Sequence, residues 1–384
     1  MMTIYDQGTF IGRVWNHKVC GPSIVTIRDN MIWDITSKDI PTMTKLLELD
    51  HPKHYATTFN GEILASLSDI ENTIRNPEEN QNGLNISLLP PCDLQAIKAC
   101  GVTFANSMVE RVIEERAAGD PKKADAIRIN IGELIGNNLK NIIPGSSQAQ
   151  EIKEILINEG IWSQYLEVGI GVDAEVFTKC PVLSSVGHGS DIGILPTSTW
   201  NNPEPEIVLA VNSRGAISGA TLGNDVNLRD IEGRSALLLG KSKDNNASCS
   251  IGPFIRLFDD EFGIEQVNSA ELTLKVQGTD GYILHGTSSM REISRSPRDL
   301  VRQTCGANHQ YPDGFMLFLG TLFAPTEDRD IPGEGFTHKL GDRVTISEPL
   351  LGELTNTVNF STDCPKWEFG ISSLMENLAY RKLL

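Results

Sequence analysis

Three acidic residues, Glu204, Glu206 and Asp225, have the type and spacing for metal chemistry. Glu204 and Glu206 open the branched and aliphatic run Ile207-Val208-Leu209-Ala210-Val211. Side chains two apart on a strand share a face, so both carboxylates point the same way. Pro205 between them fits only a strand start or edge. Asn212-Ser213-Arg214-Gly215 reads as a hairpin turn, and a second strand over about Ala216 to Leu222 would return beside the first. Gly223-Asn224-Asp225 then ends near Glu204 and Glu206. Three carboxylates on one rim suit an all-oxygen, octahedral site for Mg²⁺ or Mn²⁺. The competing reading is a pair of solvated edge charges that discourage strand pairing.

The elements around this hairpin must position it. Residues 1–90 read as a small N-terminal α+β domain. Its strand signals are Gly8–Trp15, Ser23–Arg28 and Met31–Ile35, and its helical signals Thr42–Asp50 and Gly61–Arg75. Asn76–Asn85 is polar and turn-rich, a linker. His51 and His54 flank Pro52 in a polar loop and are expected at the surface. Residues 91–384 read as the catalytic domain. In it, Asp120–Leu139 and Ser146–Gly160 have amphipathic helical patterns, long for linkers in a β-rich chain, and are expected to cover the site as a helical lid over about 106–160. Leu166–Val176 reads as a buried strand, and Val267–His285 as two strands with a turn at Thr279-Asp280-Gly281. Gly187-His188-Gly189 reads as a tight loop that aims an imidazole. A structural ion pair is the competing reading of Arg229 and Asp230, preferred for Asp230, and Cys249 reads as packing. Glu110, Arg111, Glu114 and Glu115 read as a charged helix face.

Composition narrows the classes. The 384 residues carry a formal net charge of −17 and are 40% hydrophobic. That argues against nucleic acid and against an anionic membrane surface. Seven scattered cysteines without a CxxC pair argue against structural zinc or a disulfide framework, and fit a reducing, cytoplasmic setting. The N-terminus lacks the pattern of a secretory signal. The most apolar run, Phe315–Pro325, spans 11 residues and is broken by Gly320-Thr321, too short for a membrane span.

Glu-x-Glu, a strand pair, Asn-Asp-Val-x-x-Arg-Asp, and a Lys followed by Gly252-Pro253 closely resemble the core signature of the fumarylacetoacetate hydrolase family. The resemblance is dense over Gly187–Pro253 and Gly314–Val358, and weaker matches reach back to about Leu88. It implies a mainly β fold with some α, a mixed β-sandwich roll, with Glu204, Glu206 and Asp225 binding Mg²⁺ (Mn²⁺ or Ca²⁺ as substitutes). It further implies a 2-oxo acid substrate and a homodimer or homotetramer. Lys243, rather than the nearby Lys241, falls at the family's active-site lysine, Thr321 at its carboxylate binder and Glu110 at its catalytic Glu. Ser107 falls where the hydrolases carry the His that activates water. Serine has no basic nitrogen near neutral pH, so hydrolysis of a C–C bond is disfavoured and Ser107 is left as a substrate contact. The Gly-His-Gly loop, Trp200 and Pro203-Glu204-Pro205-Glu206 resemble one branch, the 2-keto-3-deoxy-sugar-acid dehydratases. That resemblance implies an Mg²⁺-dependent lyase converting a 2-keto-3-deoxy-pentonate to 2,5-dioxopentanoate. Lys243 or Glu110 is then the base, and His188 or Glu110 the acid. The alternatives are a hydrolase of 2,4-diketo acids on the same fold, an oxaloacetate decarboxylase, and a non-catalytic binding module.

Overall fold

A computed structural model describes residues 4–75, 84–125, 127–128, 142–323, 325, 327–333 and 335–384. An eleven-stranded sheet runs in the order Glu62–Ser66, Met31–Asp34, Gly21–Arg28, Phe10–Asn16, Cys249–Leu257, Ile217–Asp225, Pro205–Val211, Phe315–Phe318, Ala96–Gly101, Glu175–Cys180, with Ile86–Leu89 also paired to Phe10–Asn16. A five-stranded sheet follows the order Ile283–Ser289, Glu271–Gln277, Arg343–Glu348, Gly352–Phe360, Asp191–Ile194. Both are mixed: Phe315–Phe318 lies parallel to Ala96–Gly101, and Gly352–Phe360 parallel to Asp191–Ile194. The N-terminal strands extend the large sheet, since Phe10 is in register with Arg256 and Ile11 with Ile255.

The strand Pro205–Val211 shows why its sequence is a continuous apolar run rather than an alternating one. It is buried along its whole length. Ile207, Leu209 and Val211 pack into one core with Leu274, Val344 and Leu354 of the five-stranded sheet. Val208 and Ala210 pack on the other face with Met43, Leu46 and Ile11. A strand covered on both sides has no polar face to show.

Three stretches depart from the sequence expectations. Glu62–Ser66 is a strand, not the first turn of a helix, because it takes the free edge of Met31–Asp34; the helix occupies only Leu67–Arg75. Leu166–Val176 is not one strand. Gln164–Ile170 is a helix capped by the Ser163 hydroxyl, which accepts from Tyr165 N–H, and the strand begins at Glu175. In the expected helix Asp120–Leu139, residues 121–125 are helical, while residue 126 and residues 129–139 lie outside the described residues, as does most of the expected linker at 76–83. The helix Ser147–Asn158 forms as expected behind its Ser146 cap. Among the described residues, no helix is long and apolar enough to cross a membrane.

Candidate metal centre

The hairpin delivers the three carboxylates as their spacing implies. Pro205 pairs with Asn224 and Glu206 with Gly223, and Asp225 N–H donates to Glu204 O at 3.1 Å. Pro205–Val211 is not an edge. It is hydrogen-bonded to Ile217–Asp225 on one side and Phe315–Phe318 on the other. Glu204, Glu206 and Asp225 are all buried, with one carboxylate oxygen from each within 4.8 Å of the others. The solvated-edge reading therefore fails, and buried like charges this close require cations.

Two lysines and an arginine supply part of that charge. Lys243 Nζ donates to Glu204 Oε2 at 2.7 Å and to Asp225 Oδ2 at 3.1 Å. Lys241, by contrast, is exposed. Lys179 Nζ lies 2.7 Å from Asp225 Oδ1 and donates to Lys243 O at 2.6 Å. Arg111 reaches Glu204 Oε1 at 2.9 Å from the helix Ala105–Ala117. Burial opposes the charge on Asp225, yet Lys179 and Lys243 hold its carboxyl below the usual range. Burial also opposes the Lys243 ammonium, but Asp225 and Glu204 outweigh it and raise its pKa.

Glu206 is different. Its Oε2 accepts from Gly320 N–H at 2.6 Å, and among the described residues no Lys or Arg pairs with it. Burial, then Asp225 and Glu204, push its pKa well above the carboxylate range. Gly320 is constrained here: its φ is +90°, and a Cβ would sit 2.1 Å from Thr103 Oγ1. The donor set thus fits a hard divalent cation: three buried carboxylates, one lacking a cationic partner.

The same cavity is lined by Ser107, Glu110, Thr321 and Lys243. Ser107 Oγ donates to Phe104 O at 2.8 Å and accepts from Phe104 N–H at 3.3 Å, closing the first helical turn. Glu110 is committed to arginines: Arg128 Nε and Nη2 donate to its two oxygens at 2.9 Å each, and Arg229 Nη2 donates at 3.1 Å. The Thr321 hydroxyl donates to Pro205 O at 3.0 Å and accepts from Phe323 N–H at 3.1 Å.

His188 is not brought to the carboxylates. Its loop is pinned to the other sheet: Thr355 N–H donates to His188 Nδ1 at 2.8 Å, and Asn356 Nδ2 donates to Gly187 O and Ser190 O at 2.9 Å. The imidazole lines a separate cavity beside Tyr5, Ile70 and Arg343. The Arg229–Asp230 pair is also corrected. Arg229 Nε donates to Glu114 at 2.7 Å, while Asp230 accepts from Ser198 Oγ at 2.8 Å and Thr199 N–H at 3.0 Å. Glu114 is buried and Arg111 partly buried, neither being part of a solvated face, with Arg111 Nη1 also 3.0 Å from Glu232. Cys249 is core packing.

Sequence reasoning missed Glu175. It lines the cavity from the strand Glu175–Cys180, opposite Gly101. A Cβ on Gly101 would lie 1.9 Å from Glu175 Oε2, so the missing side chain makes room for this carboxylate. Burial first, then Glu232, raises its pKa to about 7. An acid two residues after Asp173, at the head of Val176-Phe177, was the available signal.

Comparison with known proteins gives a consistent picture. Residues 175–359 match the model of the fumarylacetoacetate (FAA) hydrolase C-terminal family. The chain is 31% identical over 194 residues to 2-dehydro-3-deoxy-D-arabinonate dehydratase of Saccharolobus solfataricus, covering 50% of this chain and 61% of that protein. It is equally 31% identical over 194 residues to a probable 2-keto-3-deoxyxylonate dehydratase of Haloferax volcanii, covering 50% of this chain and 63% of that one. The match thus spans less than two thirds of either relative. The fold is similar to a solved 2-keto-3-deoxy-D-arabinonate dehydratase complexed with magnesium and 2,5-dioxopentanoate. The TM-score is 0.64 at 22% identity, over 91% of this chain and 99% of that one.

Proposed function

We propose, for a chain whose residues 175–359 match the fumarylacetoacetate hydrolase C-terminal family, an Mg²⁺-dependent lyase that dehydrates a 2-keto-3-deoxy-pentonate to 2,5-dioxopentanoate. The observation that carries the reading is the buried Glu204–Glu206–Asp225 cluster with Lys243 Nζ 2.7 Å from Glu204, in a cavity to which the described residues bring no imidazole. A divalent cation held by the three carboxylates supplies Lewis acidity toward a 2-oxo carboxylate and acidifies its C3 protons. Mn²⁺ or Ca²⁺ offers the same preference for oxygen ligands.

The chain's own groups divide the remaining work. Lys243, kept protonated by Glu204 and Asp225, offers a fixed positive charge to a developing enolate oxygen. Glu175, with its pKa raised to about 7, is suited to accept the C3 proton and to return a proton to the departing C4 hydroxyl as water. The resulting C3–C4 alkene loses a hydrogen from C5 and regains a proton at C3, giving the enol of the C5 aldehyde. Glu110, paired with Arg128 and Arg229, serves better as an anchor of the helix Ala105–Ala117 than as a proton carrier. That helix, with Ser147–Asn158 and Gln164–Ile170, forms its own small core around Met108, Leu156 and Tyr165. In this reading it is the lid, over about 106–160, of a catalytic domain 91–384 that follows an N-terminal domain 1–90. The acidic chain then needs no basic surface for its anionic substrate, and a homodimer or homotetramer remains the expected assembly.

Hydrolysis of 2,4-diketo acids is the second reading. It requires a base to activate water; Ser107, where the hydrolases carry that base, is spent on the helix cap, and Glu175 would have to take the role instead. A paired assay tests the choice, using metal-free and Mg²⁺-loaded protein. One arm follows 2,5-dioxopentanoate from 2-keto-3-deoxy-pentonates through a coupled dehydrogenase. The other follows loss of diketone absorbance from an acylpyruvate. Metal-dependent turnover confined to the first arm is expected; turnover confined to the second sinks the dehydratase.

A further inference from the structure

Two asparagines stand directly across from one another at the cavity wall. Asn202 and Asn227 are register partners in the short ladder of Asn201–Asn202 with Asn227–Leu228. Both line the cavity that holds Glu204, Glu206 and Asp225. Each is 2% exposed, and the Oδ1 of each lacks a hydrogen-bond partner among the described residues. Asn202 is oriented by its own amide: Nδ2 donates to Pro203 O at 2.9 Å, leaving Oδ1 as the free end. A buried carboxamide oxygen without a partner is costly, and the cost recurs twice on facing positions. Such pairs are retained where a ligand satisfies them.

An acceptor pair selects for donors. The surrounding charges already answer the head of an anionic 2-oxo acid, with Lys243 and the cation-binding carboxylates on the same wall. Two neutral acceptors add nothing toward a carboxylate. They are complementary to O–H groups. We infer that Asn202 and Asn227 form a hydroxyl clamp, a specificity-determining pair that accepts hydrogen bonds from the hydroxyl groups on the tail of the substrate. This rests on the proposed 2-keto-3-deoxy acid reading and names how that tail is recognised. A site built to bond a hydroxyl strongly rejects the analogue lacking it, because its own polar atoms are then stranded. The clamp would thus turn away acyl tails that an open metal site alone would admit.

The test uses two non-reacting acids with the same head and chain length. Arabinonate carries hydroxyls on its tail, and 2-hydroxypentanoate does not. Neither has the keto group that acidifies C3. Each is titrated calorimetrically into the full-length Mg²⁺-loaded protein. Wild type should bind arabinonate more tightly, by about tenfold or more. Asn202→Leu and Asn227→Leu should each erode that preference while leaving the affinity for 2-hydroxypentanoate and for Mg²⁺ alone unchanged. Equal binding of the two acids by wild type overturns the clamp without any variant, and leaves the head-group reading standing. A fall in Mg²⁺ affinity in both variants, with the preference intact, also overturns it, and makes the pair acceptors for water around the cation. Binding of neither acid overturns the clamp together with the reading of the site on which it rests.

Discussion

Arg111 and Glu204 are 93 residues apart in sequence, yet the Arg111 guanidinium lies 2.9 Å from Glu204 Oε1. The same guanidinium meets Glu114 at 2.7 Å and Glu232 at 3.0 Å. One partly buried cation therefore ties the helix Ala105–Ala117 to the metal-centre hairpin and answers three acids at once. Replacing it leaves those acids uncompensated.

Arg111→Leu should destabilise the metal-free protein by about 3–5 kcal/mol, the usual cost of breaking a buried pair on one side. Added Mg²⁺ should recover more of the melting temperature in the variant than in wild type, because a cation then answers Glu204. Denaturation with and without Mg²⁺ measures both. An equal Mg²⁺ increment in the two proteins would refute the coupling.

Glu206 and Glu204 should respond oppositely to charge removal. Glu206→Gln replaces a buried carboxyl that has no cationic partner among the described residues and whose ionisation burial, Asp225 and Glu204 oppose, so the metal-free protein should be as stable as wild type or more so. Glu204→Gln removes one anionic partner from both Lys243 and Arg111, leaving Lys243 with Asp225 and Arg111 with Glu114 and Glu232, and should destabilise. Both should weaken Mg²⁺ binding by about 100-fold or more in calorimetry, as each removes an anionic ligand. A destabilised Glu206→Gln variant would contradict the assignment of Glu206 as the site's unanswered charge.

The raised pKa of Glu175 sets a pH window. The folded carboxyl titrates near 7 and the unfolded one near its ordinary 4.5. Between those values the native state binds more protons, so this group's contribution to stability falls as pH rises. Glu175→Gln should then gain about 1–2 kcal/mol relative to wild type above pH 7, after allowance for partial exposure, and nothing near pH 4. Turnover should drop by about 100-fold or more, with loss of the pH–rate limb near 7. Retention of that limb would assign it to another group.

His188 gives the opposite sign. Burial first, then Arg343, lowers its pKa to about 4. Below the ordinary 6.5 the unfolded chain takes up the proton before the folded one, so stability is lost as pH falls from about 6.5 to 4. His188→Gln should flatten that acid loss while leaving Mg²⁺-dependent turnover within about threefold, since the imidazole lies outside the carboxylate cavity. A loss of turnover on the scale of the Glu175 variant would return His188 to the chemistry.

Some of this was legible in the chain itself. The period of two placed Glu204 and Glu206 on one face, and the turn at Asn212-Ser213-Arg214-Gly215 returned Asp225 beside them, because hairpin geometry is local. The family resemblance, aligned on Gly252-Pro253, distinguished Lys243 from Lys241, and the structure buries the first and exposes the second. Tertiary structure alone decided the rest. Arg111 and Glu114 carry the sequence signature of a solvated helix face, but burial follows from what packs over them: the hairpin and the acid Glu232. Glu62–Ser66 has helical spacing, yet the unpaired edge of Met31–Asp34 draws it into a strand. The Gly-His-Gly loop could swing either way until Thr355 and Asn356 of the second sheet fixed it. Glu175 lacks a motif of its own, and the meeting of two strands at Gly101 is what places its carboxylate in the cavity. Local periodicity records how one segment folds on itself. Which charges are desolvated together depends on contacts between segments far apart in sequence, such as the 93 residues between Arg111 and Glu204, and only the closed sheets bring those into one place.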